Sequence, residues 1–351
     1  MLAATLLLIT LLCIGVLIPV PYAELGPGPT VNTLGKHDGE PVLQISGRKT
    51  YPTPGHLNMT TVRVTGADYK MNLVEAIVGW LAHDQAVVPR ETLYPDDKSA
   101  EQVEQENAEE FSSSQESAKV AALKELEIPV DSRVIVGSVL KGKPAEGRLH
   151  AGDVIKAVDG TDVAEAADVA KLVTKHKPGE KVVFTIVPAQ RAKAADASSA
   201  PTQQVTVPTV KAPEDGRAVV GIQAGVEHTF PFKIDIKLAD VGGPSAGLMF
   251  ALGLIDKLDR EPLTGGKFIA GTGTIDHSGK VGPIGGIQMK AIAARRQGAE
   301  YFLTPEDNCA SAVKNVPEGL TLVKVKTLDD ALDALADIRE GRTSELPSCR
   351  S

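Results

Sequence analysis

The run Gly242-Gly243-Pro244-Ser245-Ala246-Gly247, followed 45 positions later by the lysine that ends Pro283-Ile284-Gly285-Gly286-Ile287-Gln288-Met289-Lys290, constrains this chain most. Its chemistry makes sense only in a fold that brings the two segments together. A serine hydroxyl is a poor nucleophile until a neighbour takes its proton, and a lysine can do so only where apolar surroundings keep its amine uncharged. Lys290 has Ile287, Met289, Ile292, Ala293 and Ala294 around it, in a segment that reads as a helix from Ile287 to Gln297, opened by Gly285-Gly286 and stopped by Gly298. Pro244 suits the first turn of another helix, running through Ala246 to Leu252. Ser245 would then sit where backbone N–H groups around Gly243, Pro244 and Ala246 could hold an oxyanion. The same residues also admit a plain reading: helix punctuation, a capping serine and a solvated lysine.

Rival sites are weaker. Asp276-His277 with Ser245 would make a Ser-His-Asp triad, but neighbours in sequence seldom present both side chains in relay geometry, and a turn before Gly279 accounts for them. His37, His56, His83 and His228 lack the paired spacing of a metal motif, and no GxxxxGK[ST] phosphate loop occurs, so neither a metal, a nucleotide nor any other cofactor is called for. A net charge of −8 gives no basic surface, which argues against nucleic acid as a partner. The densest acidity, Glu101 to Glu110, marks a solvated helix face or a mobile loop.

No side chain from Leu2 to Val20 is charged, a length that approaches a hydrocarbon core of roughly 30 Å at about 1.5 Å per residue. This is an anchor or a signal peptide. Pro21-Tyr22-Ala23 makes a poor cleavage site, which favours an uncleaved anchor. Cys13 falls in that segment, leaving Cys309 and Cys349 as either one bridge or two free thiols. The remaining residues of the 351, 42% of them hydrophobic in the whole chain, suffice for about two cores. Leu43 to Ser46 and Met59 to Val64 read as strands, and Ser117 to Leu126 reads as a helix. Between Ala118 and Val210, Arg133 to Val136 and Lys181 to Val187 read as strands, Asp168 to His176 as a short helix, and Gly152 to Gly160 as a strand ending in a hairpin turn. Gln190 to Pro201 reads as an exposed loop, and Leu328 to Leu335 as a core-packed amphipathic helix.

Taken together, the Gly242 to Gly247 run, Thr272-Gly273-Thr274-Ile275, Gly279-Lys280-Val281 and the stretch from Pro283 to Pro305 resemble the proteolytic domain of the Lon family over about Val219 to Pro305. The resemblance implies Ser245 as nucleophile, Lys290 as general base and Thr272 as the residue that orients the lysine. One departure stands out: bacterial Lon proteases commonly carry an acid three residues before the serine, where this chain has Gly242, with Asp240 the nearest carboxylate. The run from Gly142 to Asp153 is similar to bacterial protease PDZ domains, which usually add a peptide as a strand. No carboxylate-binding loop is evident before Arg133, so peptide binding and a purely architectural role both stay open.

An apolar N-terminus followed by Gly26-Pro27-Gly28-Pro29-Thr30 and Gly55 to Val62 is the layout of the membrane-anchored, PDZ-containing Lon-like proteases of Gram-positive bacteria, actinobacteria among them. The expectation is an α+β chain: anchor over 1–24, first strands and helix of the Lon-like domain over 25–117, PDZ over 118–212, Lon-like domain over 213–342 and a tail over 343–351. The PDZ module would be inserted into, or adjoin, the Lon-like domain. Implied with it are a single-pass membrane location with extracytoplasmic working domains, ATP-independent cleavage of exposed protein segments, and a homo-oligomer, hexameric in the family. The alternative is an inert, membrane-tethered PDZ adaptor.

Overall fold

The computed structural model describes the chain except for residues 1, 2, 4, 8, 11–14, 16, 17, 96, 193–199, 240 and 351. Cys13 and Asp240 therefore lie outside the described residues. No helix among the described residues is long and apolar enough to cross a membrane.

The chain opens with strands β1 (Tyr22–Asn32), β2 (Leu43–Ser46) and β3 (His56–Val64), helix α1 (Leu73–Leu81), strand β4 (Ala86–Pro89) and the long helix α2 (Ala100–Glu125). Both helices start on capping boxes, Asn72 with Glu75 and Ser99 with Gln102, which satisfy N–H groups left open at a helix start. Next come β5 (Asp131–Val139), β6 (Val154–Val158), α3 (Ala166–Val173), β7 (Lys181–Val187), β8 (Gln203–Pro208) and β9 (Ile222–Thr229). The chain ends with β10 (Lys233–Ile236), α4 (Gly247–Leu258), β11 (Phe268–Gly271), α5 (Ile287–Arg296), β12 (Tyr301–Pro305), β13 (Thr321–Val325) and α6 (Leu328–Glu340).

Two compact units result. One comprises residues 1–129 and 232–351, the other residues 130–231. The first unit is built on a six-stranded sheet in the order β13-β12-β11-β3-β1-β4. Strands from the two ends of the chain meet in it, because β3 pairs in parallel with β11 from His56↔Phe268 to Met59↔Gly271. Consecutive residues Leu57 to Thr60 are all buried, as a central strand covered on both faces requires. Ile287, Ala291 and Ala294 of α5 pack with Ala270, Phe302 and Leu322 of the sheet, while α4 packs against α2 and β3. The amphipathic stretch from Leu328 is α6, with Leu328, Ala331, Leu335 and Ile338 buried.

The second unit is a sheet in the order β8-β7-β6-β5-β9 closed by α3, around a core that includes Val136, Ile155, Val158, Val173 and Phe184. The outer strand β9 pairs antiparallel with β5 from Ile222↔Val139 to Thr229↔Asp131. The residues Ala118 to Glu125, expected to open this module, instead continue α2 in the first unit, and β9 is an outer strand of the second sheet that sequence patterning did not mark. The reason is physical: from Ala118 on, the helix is apolar round most of its circumference, and Ala118, Val120, Ala121, Ala122 and Leu123 are all buried, as a core helix requires.

Candidate active site

Three segments meet at Ser245. The serine lies in the turn between Gly243, whose φ is 78°, and Gly247, the first residue of α4. Pro244 and Ser245 thus stand ahead of the helix and not in its first turn; the structure corrects the expected start, since Gly247 N–H reaches Pro244 C=O only as a turn bond at 3.5 Å. The loop backbone is fixed residue by residue. Gly243 N–H donates to Asn107 C=O (2.9 Å), Ser114 Oγ–H donates to Pro244 C=O (2.9 Å), and Ser245 C=O accepts from both Gly273 N–H (2.9 Å) and Thr272 Oγ1–H (2.9 Å). Asn107 and Ser114 sit on α2, whose acidic face is exposed to solvent while its other face grips this loop.

Thr272 follows β11 directly, and Lys290 is the fourth residue of α5, which begins after Gly286. Lys290 Nζ is 2.6 Å from Ser245 Oγ and 3.0 Å from Thr272 Oγ1. Proton directions follow from the inventory of donors. Thr272 spends its hydroxyl proton on the Ser245 carbonyl, so toward Lys290 it can only accept. The amine donates to Thr272, and when it is neutral its lone pair is left for the serine proton. Lys290 is 2% exposed and Thr272 is fully buried. Burial lowers the Lys290 pKa from 10.5 to about 7. Half of such amines are uncharged near neutrality, which is what a general base for serine needs.

The N–H groups expected to hold an oxyanion are not equally open. Gly243 N–H is committed to Asn107 and Pro244 has none, whereas the N–H groups of Ser245 and Ala246 have no partner among the described residues. Gly242, where relatives of the expected type carry an acid, is shaped by α2: a Cβ there would stand 3.0 Å from Asn107 Cβ. In the alternative triad, Asp276 is turned back on its own loop. Asp276 accepts from Ser278 N–H (2.8 Å), Ser278 Oγ–H (2.6 Å) and Lys280 N–H (3.0 Å), closing its own turn. His56 stacks on Phe268 at 4.6 Å, a packing role. Cys309 and Cys349 are joined, with Cα atoms 5.0 Å apart, and the last residues are further tied by Lys324 N–H to Pro347 C=O (2.8 Å).

Sequence reasoning missed Asn107 and Ser114. The available signal was the serine run Ser112-Ser113-Ser114 at the point where α2 turns from an acidic to an apolar pattern, a place where small polar residues admit close backbone approach.

Residues 239–337 match the Lon protease (S16) C-terminal proteolytic domain, and residues 108–196 match a PDZ domain. Lon protease 2 of Bacillus subtilis (strain 168) is 34% identical over 95 residues, which cover 27% of this chain and 17% of that protein. The Lon protease of Geobacter metallireducens is 40% identical over 93 residues, covering 26% of this chain and 11% of that protein. The chain thus spans less than a fifth of the length of these relatives. Among solved structures, the PDZ domain of the SdrC-like protein from Listeria monocytogenes is similar at 23% identity and a TM-score of 0.22, covering 26% of this chain and 86% of that one. By its two family matches, the chain carries a Lon-type C-terminal proteolytic domain and a PDZ domain.

Proposed function

We propose that this protein is a serine endopeptidase in which Lys290 deprotonates Ser245 for attack on a peptide carbonyl. The observation that carries the reading is the 2.6 Å approach of a buried amine, its pKa lowered to about 7, to the serine hydroxyl. As the C–O bond forms, the N–H groups of Ser245 and Ala246 hold the carbonyl oxygen, at about 3 kcal/mol per donor. The lysine then passes its proton to the leaving amine, and the acyl-enzyme is hydrolysed by a water that the same lysine activates. The enzyme is proposed to work without ATP on unfolded or exposed segments, which cleavage in the absence of nucleotide tests. The uncharged stretch from Leu2 to Val20 tethers it to the membrane, and the Cys309–Cys349 bridge suits an oxidising, extracytoplasmic location. The family resemblance adds a hexameric ring, tested by the mass of the purified assembly.

In the PDZ unit, α3 runs beside the outer strand β9, and the cleft between them, about 340 Å³, is lined by Val169, Val173, Gly221, Ile222 and Ala224. An extended peptide added along β9 is the mode of recognition that such an edge supports. The loop that leads into the groove is Val219-Val220-Gly221, ahead of β9 and not ahead of β5.

Incubation with an unfolded protein, without nucleotide, tests the catalytic reading. Cleavage by the wild type and by His277→Ala, with none by Ser245→Ala or Lys290→Ala, is the expected result. Activity lost in His277→Ala and kept in Lys290→Ala would reverse the assignment.

A further inference from the structure

Exposed large hydrophobic side chains of the first unit are concentrated in two stretches of the chain. Of the eleven found among the described residues, nine lie within residues 6–18 or 69–81, and the other two, Leu140 and Val226, belong to the second unit. Helix α1 explains much of this. Its buried residues are its two smallest, Ala76 and Gly79, and a Cβ on Gly79 would lie 2.6 Å from Val87 Cγ2 of β4. The large apolar residues Ile77, Val78, Trp80 and Leu81 face outward, Trp80 at 53% and Leu81 at 75% exposure. An amphipathic helix on a water-facing surface does the reverse. The one charge in α1, Glu75, is occupied at its first turn, where it accepts from Asn72 N–H (2.9 Å) and from Tyr69 Oη–H (2.6 Å).

This face is continuous with the uncharged N-terminal segment. Leu73 N–H donates to Ile18 C=O (3.1 Å) and Val20 N–H to Met71 C=O (2.9 Å), while a Cβ on Gly15 would stand 3.2 Å from Val74 Cγ2. Gly15 lies five positions inside the outer end of the run Leu2 to Val20, so α1 begins alongside that run and not beyond it. Tyr22 meets Trp80 edge to face at 5.2 Å, and Tyr69 lies just before the helix, so aromatic rings ring the place where the chain leaves the segment. Such rings favour the depth of lipid headgroups.

We propose that α1 is an interfacial helix: Ile77, Val78, Trp80 and Leu81 are immersed in the outer boundary of a phospholipid bilayer beside the N-terminal segment. The occupant of this face is lipid, because the face is uncharged, aromatic at its rim and joined by backbone hydrogen bonds to the stretch proposed to enter the same bilayer. Helices of this kind sink about 5–10 Å below the headgroups. The inference rests on the anchoring of Leu2 to Val20. It adds that the proteolytic unit is held flush against the membrane by a second element, in a fixed orientation.

Trp80 is the one tryptophan of the chain, so its fluorescence reports on this face alone. The full chain is reconstituted in vesicles of phosphatidylcholine and phosphatidylglycerol, and quenching by lipids brominated along the acyl chain is compared with quenching by aqueous iodide. Expected are co-flotation with the vesicles, strong quenching by bromines near the glycerol end, and protection from iodide. The double variant Val78→Asp, Leu81→Asp should still float but gain iodide quenching and lose bromolipid quenching. Flotation with Trp80 open to iodide overturns the inference and leaves the anchor standing. Failure to float overturns the anchor and the inference together. Shielding from both quenchers, with disulfide cross-linking through Leu81→Cys, would show a second copy of the chain on this face and would also overturn it.

Discussion

Lys290 is stable in its setting only because it gives up a proton. An ammonium buried without a counter-ion is costly, and burial has lowered its pKa from 10.5 to about 7. The unfolded chain binds more protons than the folded one between those two values, so this group's contribution to stability is complete above the unfolded pKa and is lost as pH falls toward about 7. Replacing the lysine by methionine should therefore abolish activity and yet stabilise the fold at neutral pH by about 1–3 kcal/mol, a gain that shrinks as pH approaches 10. Denaturant midpoints of the two proteins across pH check this; a Lys290→Met variant less stable than wild type at pH 7 would contradict it. Ser245 and Lys290 could be paired in sequence from the glycine-proline punctuation ahead of each and the apolar neighbours of the lysine, whereas Thr272 entered only through the family resemblance. The N–H of Gly243 could not be excluded as an oxyanion donor from sequence, since its partner, the carbonyl of Asn107, is a backbone group 136 positions away that no side-chain pattern announces.

Among elements, α2 matters most to the site. It fixes two consecutive residues of the Ser245 loop, Gly243 through the Asn107 carbonyl and Pro244 through the Ser114 side chain (2.9 Å). Ser114→Ala removes a bond worth about 1 kcal/mol, so kcat/KM should fall roughly fivefold, with Ser114→Thr recovering part of the loss. Unchanged kinetics in Ser114→Ala would show that the loop is held without α2. The far end of α4 carries a second buried charge problem. Asp256 is 1% exposed, its Oδ1 accepts from Leu263 N–H (2.5 Å), and its Oδ2 has no partner. Burial raises its pKa from 3.8 to about 6. The raised value means that the stability this group lends below pH 3.8 is lost as pH rises through about 6. Asp256→Asn should therefore raise the thermal midpoint at pH 8 and change it less at pH 5. The opposite order would contradict a buried, uncompensated carboxylate. The helix α5 was legible to within a residue from its glycine boundaries, whereas the start of α4 was not, because proline is equally at home in the turn before a helix and in its first turn.

At the scale of the whole molecule, the first unit is assembled from both ends of the chain. A fragment from Val219 to Ser351 would keep β11 without its parallel partner β3 and β9 without β5. It should be unfolded by circular dichroism and inert toward serine-reactive probes. Replacing residues 130–231 by a short glycine-serine linker should do less harm, because Asp131 and Thr229 are register partners and leave the cut ends close together. Discontinuity of this kind is hard to see in sequence: local patterning marks strands but not their partners, so β3 reads as a strand without revealing that it lies beside Phe268 to Gly271. The most direct test of the account uses the intact protein and follows the rate at which a fluorophosphonate labels Ser245 from about pH 5 to about pH 9. The rate should rise through about pH 7, level off above it, and vanish in Lys290→Ala. A flat profile, or labelling that survives the loss of Lys290, would contradict a neutral amine as the base.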